Sequence, residues 1–224
     1  MDDSTAESPA SWQNHGVSQR YDYVRGVLIE SSLNPSPFAE LEGWIEIARR
    51  VDVVEPTAMC VSTVGADGRP SARFVLLRDL DERGLTFFTN YESRKGRELA
   101  QNPFACATFW WGSLERQVRV EGRVEKVSPD ESDAYFHSRP RQSQFASAAS
   151  PQSQVVQSRE ELESAVANLA ARYPEGDMPR PESWGGYRLI PDRFEFWQGR
   201  PARLHDRLVY TLGGDQWIIH RLAP

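Results

Sequence analysis

The densest chemistry in the sequence lies between Arg193 and Arg207, in RFEFWQGRPARLHDR. Arg203, His205 and Arg207 recur at spacing two, which in an extended segment places all three side chains on one face. Two guanidiniums around an imidazole are costly to bury without partners. One reading is a solvated edge strand that uses charge against aggregation. The other is a site for a flat, anionic ligand, since Trp197 sets a planar surface beside the positive cluster. The alternation from Arg193 to Trp197 predicts a strand with one buried face.

Further polar groups could serve an anion. Arg73 and Arg78 bracket RFVLLR, and Arg94-Lys95 opens a helix whose first N–H groups are free, a pairing that suits phosphate but also occurs on ordinary surfaces. Tyr135, Arg139 and Ser143 are spaced by four. If helical geometry persists through them, they turn two hydroxyls and a guanidinium toward one anion; otherwise they mark a surface helix with an ion pair. Gln117 offers an amide to a heterocycle edge or to backbone, and Gln152-Ser153 are polar loop ligands or chance neighbours. There is no catalytic triad, P-loop, zinc spacing or GxGxxG, so no metal is expected and oxidation chemistry would need a cofactor.

These residues must be positioned by a chain of 224 residues, enough to bury a sizeable core. The net charge of −6 argues against a general nucleic-acid binder. With no long apolar segment or signal-peptide pattern, the expectation is a cytoplasmic protein without membrane attachment. Cys60 and Cys106 sit in apolar runs and read as buried free thiols. Residues 1–19 are polar and aperiodic and read as a mobile tail ahead of a single domain, 20–224.

Pro35-Ser36-Pro37 starts a helix that carries Phe38, Leu41, Ile45 and Ala48 on one face. From Ala58 the period becomes that of strands: AMCVSTV, SARFVLLR and LTFFTN predict an antiparallel meander. Ser93 caps a short helix, FACATFWW and LERQVRVEGRVEKV are strands, and Gly122 permits a bulge. A capping box at Ser128–Glu131 and a cap at Ser158 start two more helices. GYRLI, RFEFWQ, RLVYTL and QWIIHRL complete the strands. So many antiparallel strands with short turns predict an α+β, mainly antiparallel protein built on a barrel.

The landmarks EPTAM, RFVLLR, FFTN, SRKGREL, LERQVRVEG, YFHSRPRQSQ, EFWQG, RLHDR and the RLAP end together resemble the pyridoxine (pyridoxamine) 5'-phosphate oxidases, from about Arg20 to Pro224. The resemblance implies a split β-barrel with flanking helices and a homodimer with FMN between its subunits. It implies oxidation of pyridoxine or pyridoxamine 5'-phosphate to pyridoxal 5'-phosphate, with O2 as acceptor and H2O2 as product. Carried over by position, Arg73, Arg78, Phe88, Thr89, Arg94, Lys95, Gln117, Gln152, Ser153, Trp197 and Arg207 would hold FMN. Tyr135, Arg139 and Ser143, with Arg78, would take the substrate phosphate; Arg203 and His205 would be catalytic at the substrate ring; Arg20 and Tyr23 would cover it from an N-terminal arm. The chain departs from the family pattern in Arg78 for Lys, Phe88 for Tyr, and SQFASA for SQIGAW, which puts Ala146 and Ala148 in place of Gly and Trp. A related flavin oxidase of the phenazine-biosynthesis type, or a non-catalytic flavin or pyridoxal-phosphate binding protein, would share many of these features.

Overall fold

A computed structural model describes residues 22–224. Its helices start where local chemistry requires. Ser36 accepts from the Ala39 N–H and Pro37 takes the first turn, where its missing N–H costs nothing, so α1 (Pro37–Arg50) begins there and buries Leu41, Trp44, Ile45 and Ala48. Four more helices follow: α2 (Arg94–Gln101), α3 (Pro129–Ser138), α4 (Arg141–Ala149) and α5 (Arg159–Arg172). Ser93, Ser128 and Ser158 cap α2, α3 and α5 with their side chains, and Ser128 and Glu131 form the reciprocal capping box.

The strands are β1 (Ala58–Val64), β2 (Pro70–Leu76), β3 (Asp79–Asp81), β4 (Gly84–Asn90), β5 (Phe104–Trp111), β6 (Arg116–Lys126), β7 (Trp184–Gln198), β8 (Asp206–Gly213) and β9 (Gln216–Arg221). They form one antiparallel sheet in the order β2-β1-β5-β6-β7-β4-β3, with β8 on β7 and β9 on β8. The sheet curls around Phe109, Trp111, Phe194, Phe196 and Tyr210, all fully buried. Trp44 of α1 closes that core, meeting Phe196 edge-on at 5.1 Å. A smaller cluster of Phe136, Phe145, Met178 and Trp184 packs the helices α3–α5 against the start of β7.

Three expectations are corrected. The meander from Ala58 to Asn90 is split: β1 pairs with β2 and β3 with β4, but β4 lies against β7, with Leu85–Asn90 opposite Trp184–Leu189. Nearly every residue of β4 is buried, so it needs cover on both faces and a partner at each edge. GYRLI and RFEFWQ are one 15-residue strand, β7, not two. Pro191 does not end it, because the register with β6 shifts between Glu121 and Gly122 at that point. Gly122 is required there, since a Cβ would lie 2.0 Å from the Ile190 carbonyl oxygen. Finally, Cys60 and Cys106 are free but only half-buried, on the side of the sheet away from Val61 and Ala107.

The strand around Trp197 also buries both faces. Phe194 and Phe196 face the core, while Glu195 on the opposite side is 2% exposed. Glu195 is held by Arg207 at 2.9 Å, with Arg119 and Arg193 each at 3.7 Å. Among the described residues no helix is long and apolar enough to cross a membrane.

Candidate active site

The predicted site residues gather in two places rather than one. The first is a cavity of about 320 Å³ between β4, α2, the α3–α4 junction and the start of β7. Arg78, Lys95 and Arg139 line it, together with Thr89, Gln152, Tyr135 and Phe88, and among the described residues no carboxylate does. Three cations without a counter-charge, on a chain of net charge −6, mark an anion site.

Lys95 is its innermost cation, only 7% exposed. The Ser93 cap and the close approach of Gly96 to Tyr91 seat the first turn of α2 against β4. Lys95 Nζ then donates to Thr89 Oγ1 at 2.8 Å and Gln152 Oε1 at 3.1 Å. Burial, with the nearby Arg73 charge, pushes the ammonium down to about 8. Only neutral oxygens surround it, so an incoming anion would supply the missing negative charge.

Arg73 and Arg94 stand behind the cavity and are tied to Glu98, which is 6% exposed. Arg73 pairs with it at 3.3 Å and Arg94 at 2.8 Å, while the Ser71 and Thr63 hydroxyls donate to it. Burial alone would raise the Glu98 carboxyl; the hydrogen bonds from Ser71, Thr63 and Arg94, with the charge of Arg73, instead hold it at about 2. Ser153 is exposed and left-handed at φ +70° and does not line the cavity, although its neighbour Gln152 does.

Tyr135, Arg139 and Ser143 do not share a helix face, as their spacing allowed. α3 ends at Ser138, Arg139 is extended (φ −81°, ψ 152°), and α4 begins at Arg141, because Pro140 excludes helix for the residue before it. Arg139 still turns into the cavity. Its guanidinium lies 4.7 Å over the Trp184 ring, Nη1 donates to Ser147 Oγ and Nη2 to the Ser143 carbonyl oxygen, each at 3.0 Å. Ser143 thus contributes main chain, and the lining hydroxyl on α4 is Ser147. The spacing of four, carried one step further, would have reached it. Phe88 lies in a near-parallel stack with Tyr135 (3.9 Å) and Trp184 (5.6 Å), and Arg78 sits 5.9 Å over Tyr135. Phe88 therefore meets the cavity with its ring.

The second place is the far end of β7. Cross-strand pairing aligns Trp110, Gln117, Trp197 and Arg207 in one row over four strands, on the face opposite the core. Trp110 and Trp197 are 6.0 Å apart, and Trp110 is half exposed. Arg203, His205 and Arg207 do not form an extended face. Pro201–Arg203 is a 3-10 turn in which Ala202 and Arg203 are both left-handed (φ +54° and +61°), and only Arg207 lies in β8. Two such residues in succession cost free energy and turn Arg203 out into solvent. His205 packs on Trp197 at 4.8 Å, and its Nδ1 accepts the Arg200 N–H at 3.0 Å. That bond leaves the proton of the neutral ring on Nε2. Tyr23 meets both Trp197 and His205 edge-on, at 5.7 and 5.6 Å. Arg20 lies outside the described residues.

The two places are joined by β7 and are far apart. Thr89 pairs with Gly185 at one end and Gln117 with Trp197 at the other, about 40 Å of strand path at ~3.3 Å per residue. A larger groove, between α4 and α5, is lined mainly by alanine, leucine and valine, and its Arg159 and Glu163 pair with each other. Its remaining polar side chains are Gln142 and Ser150, and neither carries a charge that would mark an anion site.

A curled antiparallel half-barrel with flanking helices places the molecule in the split-barrel class of FMN-binding proteins. A family model described as pyridoxamine 5'-phosphate oxidase matches residues 46–173, and one described as the pyridoxine 5'-phosphate oxidase C-terminal dimerisation region matches residues 184–224. The pyridoxine/pyridoxamine 5'-phosphate oxidase of Burkholderia vietnamiensis is 55% identical over 208 residues, covering 92% of this chain and 97% of its own length. That of Gloeothece citriformis is 53% identical over 206 residues, covering 92% and 96%. Among solved structures, PhzG from Burkholderia lata 383 in complex with tetrahydrophenazine-1-carboxylic acid is similar at TM-score 0.83 and 34% identity, over 88% of this chain and 98% of that one. The chain belongs to the pyridoxamine 5'-phosphate oxidase family.

Proposed function

We propose a division of labour among the residues of this chain, a pyridoxine/pyridoxamine 5'-phosphate oxidase that depends on FMN. The observation that carries it is the cavity that, among the described residues, is lined by three cations and no carboxylate. Lys95, Thr89 and Gln152, backed by Arg73 and Arg94, hold the FMN phosphate. Arg139, Tyr135 and Arg78 hold the phosphate of the substrate. Gln117, Trp197 and Arg207 receive the flat ring system: an amide for its polar edge, an indole for its face and a cation for its negative charge.

These two groups of residues lie too far apart in one chain to meet on one ligand. The reading is therefore a homodimer in which the cavity of one protomer faces the Trp197 row of its partner. The dimerisation region matched at residues 184–224 supports it, since that region carries β7–β9. Residues 20–224 act as one FMN-binding domain, because β7 completes its sheet only by pairing with β4 and β6 of the preceding region.

FMN held by these residues would supply the acceptor for a hydride from the C4' carbon; the substrate's O–H or N–H proton would be released with it, and O2 would take both electrons and two protons to give H2O2. The chain positions and orients. Arg139 and Tyr135 fix the substrate by its phosphate, so the reacting carbon is placed without contacts at that carbon. Arg203 and His205 orient the substrate ring. With Nδ1 engaged by Arg200, His205 offers a donor from Nε2. Accepting a proton at Nδ1 would first require that bond to break.

A phosphorylated substrate is favoured over a phenazine-type ring by the same cavity, and by relatives at 53–55% identity against 34% for PhzG. The test is the FMN-loaded protein with pyridoxine 5'-phosphate in air, following aldehyde and peroxide together. Equal amounts of both are expected. Arg139→Ala should raise KM about 100-fold with FMN still bound, the loss of a bidentate charged contact. Bound flavin without turnover on the alcohol or the amine would refute the substrate.

A further inference from the structure

Arg139 sits in extended backbone where helical geometry breaks between α3 and α4. A long side chain at such a position samples many rotamers, and ordering it opposes binding. Here protein contacts alone hold the guanidinium. The Trp184 ring lies under its plane at 4.7 Å, the Ser143 carbonyl oxygen takes Nη2, and Ser147 Oγ takes Nη1. Among the described residues two of its five N–H groups are used, which leaves the others for an anion.

We propose that Ser147 is a positioning residue, whose hydroxyl fixes the Arg139 guanidinium in the orientation that receives the substrate phosphate. This rests on the reading of Arg139 as the residue that holds that phosphate. The direction of the hydroxyl decides between positioning and direct binding. Ser147 Oγ donates its single proton back to the Gln144 carbonyl oxygen at 3.0 Å, so toward Arg139 it presents only a lone pair. It cannot also donate to a phosphate without abandoning Gln144. Ser143 acts through main chain, which a substitution leaves in place. Ser147 therefore supplies the part of the hold on Arg139 that one side-chain change removes without touching an aromatic ring.

The experiment uses the full FMN-loaded chain. Ser147→Ala is expected to raise KM for pyridoxine 5'-phosphate about 3- to 10-fold, to weaken competitive inhibition by inorganic phosphate by a similar factor, and to leave kcat within about twofold. Ser147→Thr keeps the acceptor and should restore both constants. A fall in kcat and melting temperature with unchanged phosphate inhibition would mean a structural role and overturn the proposal. Unchanged KM in Ser147→Ala, with KM raised in Arg139→Ala, would overturn it while leaving the phosphate site standing. Unchanged KM in Arg139→Ala as well would remove the phosphate site, and the proposal with it.

Discussion

Lys95→Met should give a protein that purifies without yellow colour, its FMN affinity lowered about 100-fold or more, yet whose flavin-free form is no less stable near neutral pH. The two expectations have one cause. The Lys95 ammonium is buried among neutral oxygens and falls to about 8 from its ordinary 10.5. Between those values the unfolded chain binds more protons than the folded one, so the flavin-free wild type gains stability as pH rises through that window. Below it, the buried charge costs about 3 kcal/mol, which methionine avoids and which offsets the hydrogen bonds it gives up. A phosphate reverses the balance by giving the ammonium a counter-charge. FMN affinity of the wild type should therefore decline above about pH 8, by up to about tenfold per pH unit, and the methionine variant should lose that dependence. Flavin fluorescence titrations from pH 6.5 to 9.5 measure both. A methionine variant that binds FMN as the wild type does would remove Lys95 from the site.

Glu98→Gln should lower stability by about 1–3 kcal/mol, because a buried carboxylate that accepts from Thr63, Ser71 and Arg94 is lost and the half-buried Arg73 is left without its counter-charge. The carboxylate joins β1, β2 and α2 through Thr63, Ser71, Arg73 and Arg94, so the change loosens the wall behind Lys95. Its pKa of about 2, against an ordinary 4.5, also sets a pH dependence. The stability from Glu98 is fully present above pH 4.5 and is lost as pH falls toward 2. Urea midpoints at pH 7 and pH 3 should therefore differ less in the variant than in the wild type. Part of the slope should remain, since Glu131, hydrogen-bonded by Arg188, is also held at about 2. Equal midpoints for variant and wild type at pH 7 would show that Arg73 is satisfied without Glu98.

What could be read from the sequence was what is decided within a few residues. The caps at Ser36, Ser93, Ser128 and Ser158 all form as their types and spacing demand. Pairing between distant strands was less legible. Nothing near Pro191 announces that a bulge at Gly122, on another strand, will carry β7 through it. The same limit applies to the site. Lys95 could be seen as a cation at a helix start, but its lack of a counter-charge depends on Thr89 and Gln152, which arrive from β4 and from the loop after α4. Glu98 was missed because its partners come from three elements. Arg203 was misplaced because a spacing of two implies one face only if the backbone stays extended, and Pro201 begins a turn instead.

The separation of Lys95 from Arg207 along β7 has a genetic consequence. If each catalytic centre draws one set of residues from each chain, a lesion at Lys95 and a lesion at Arg207 are not equivalent copies of one defect. Two chains, each inactive alone for one of these reasons, could reconstitute function when paired. Their mixed dimer would contain one centre with both lesions and one with neither. Random pairing of equal amounts would return about a quarter of wild-type centres, half of the pairs being mixed and half of the centres in each intact. Two alleles of this gene could then rescue one another within a single cell, although each fails alone.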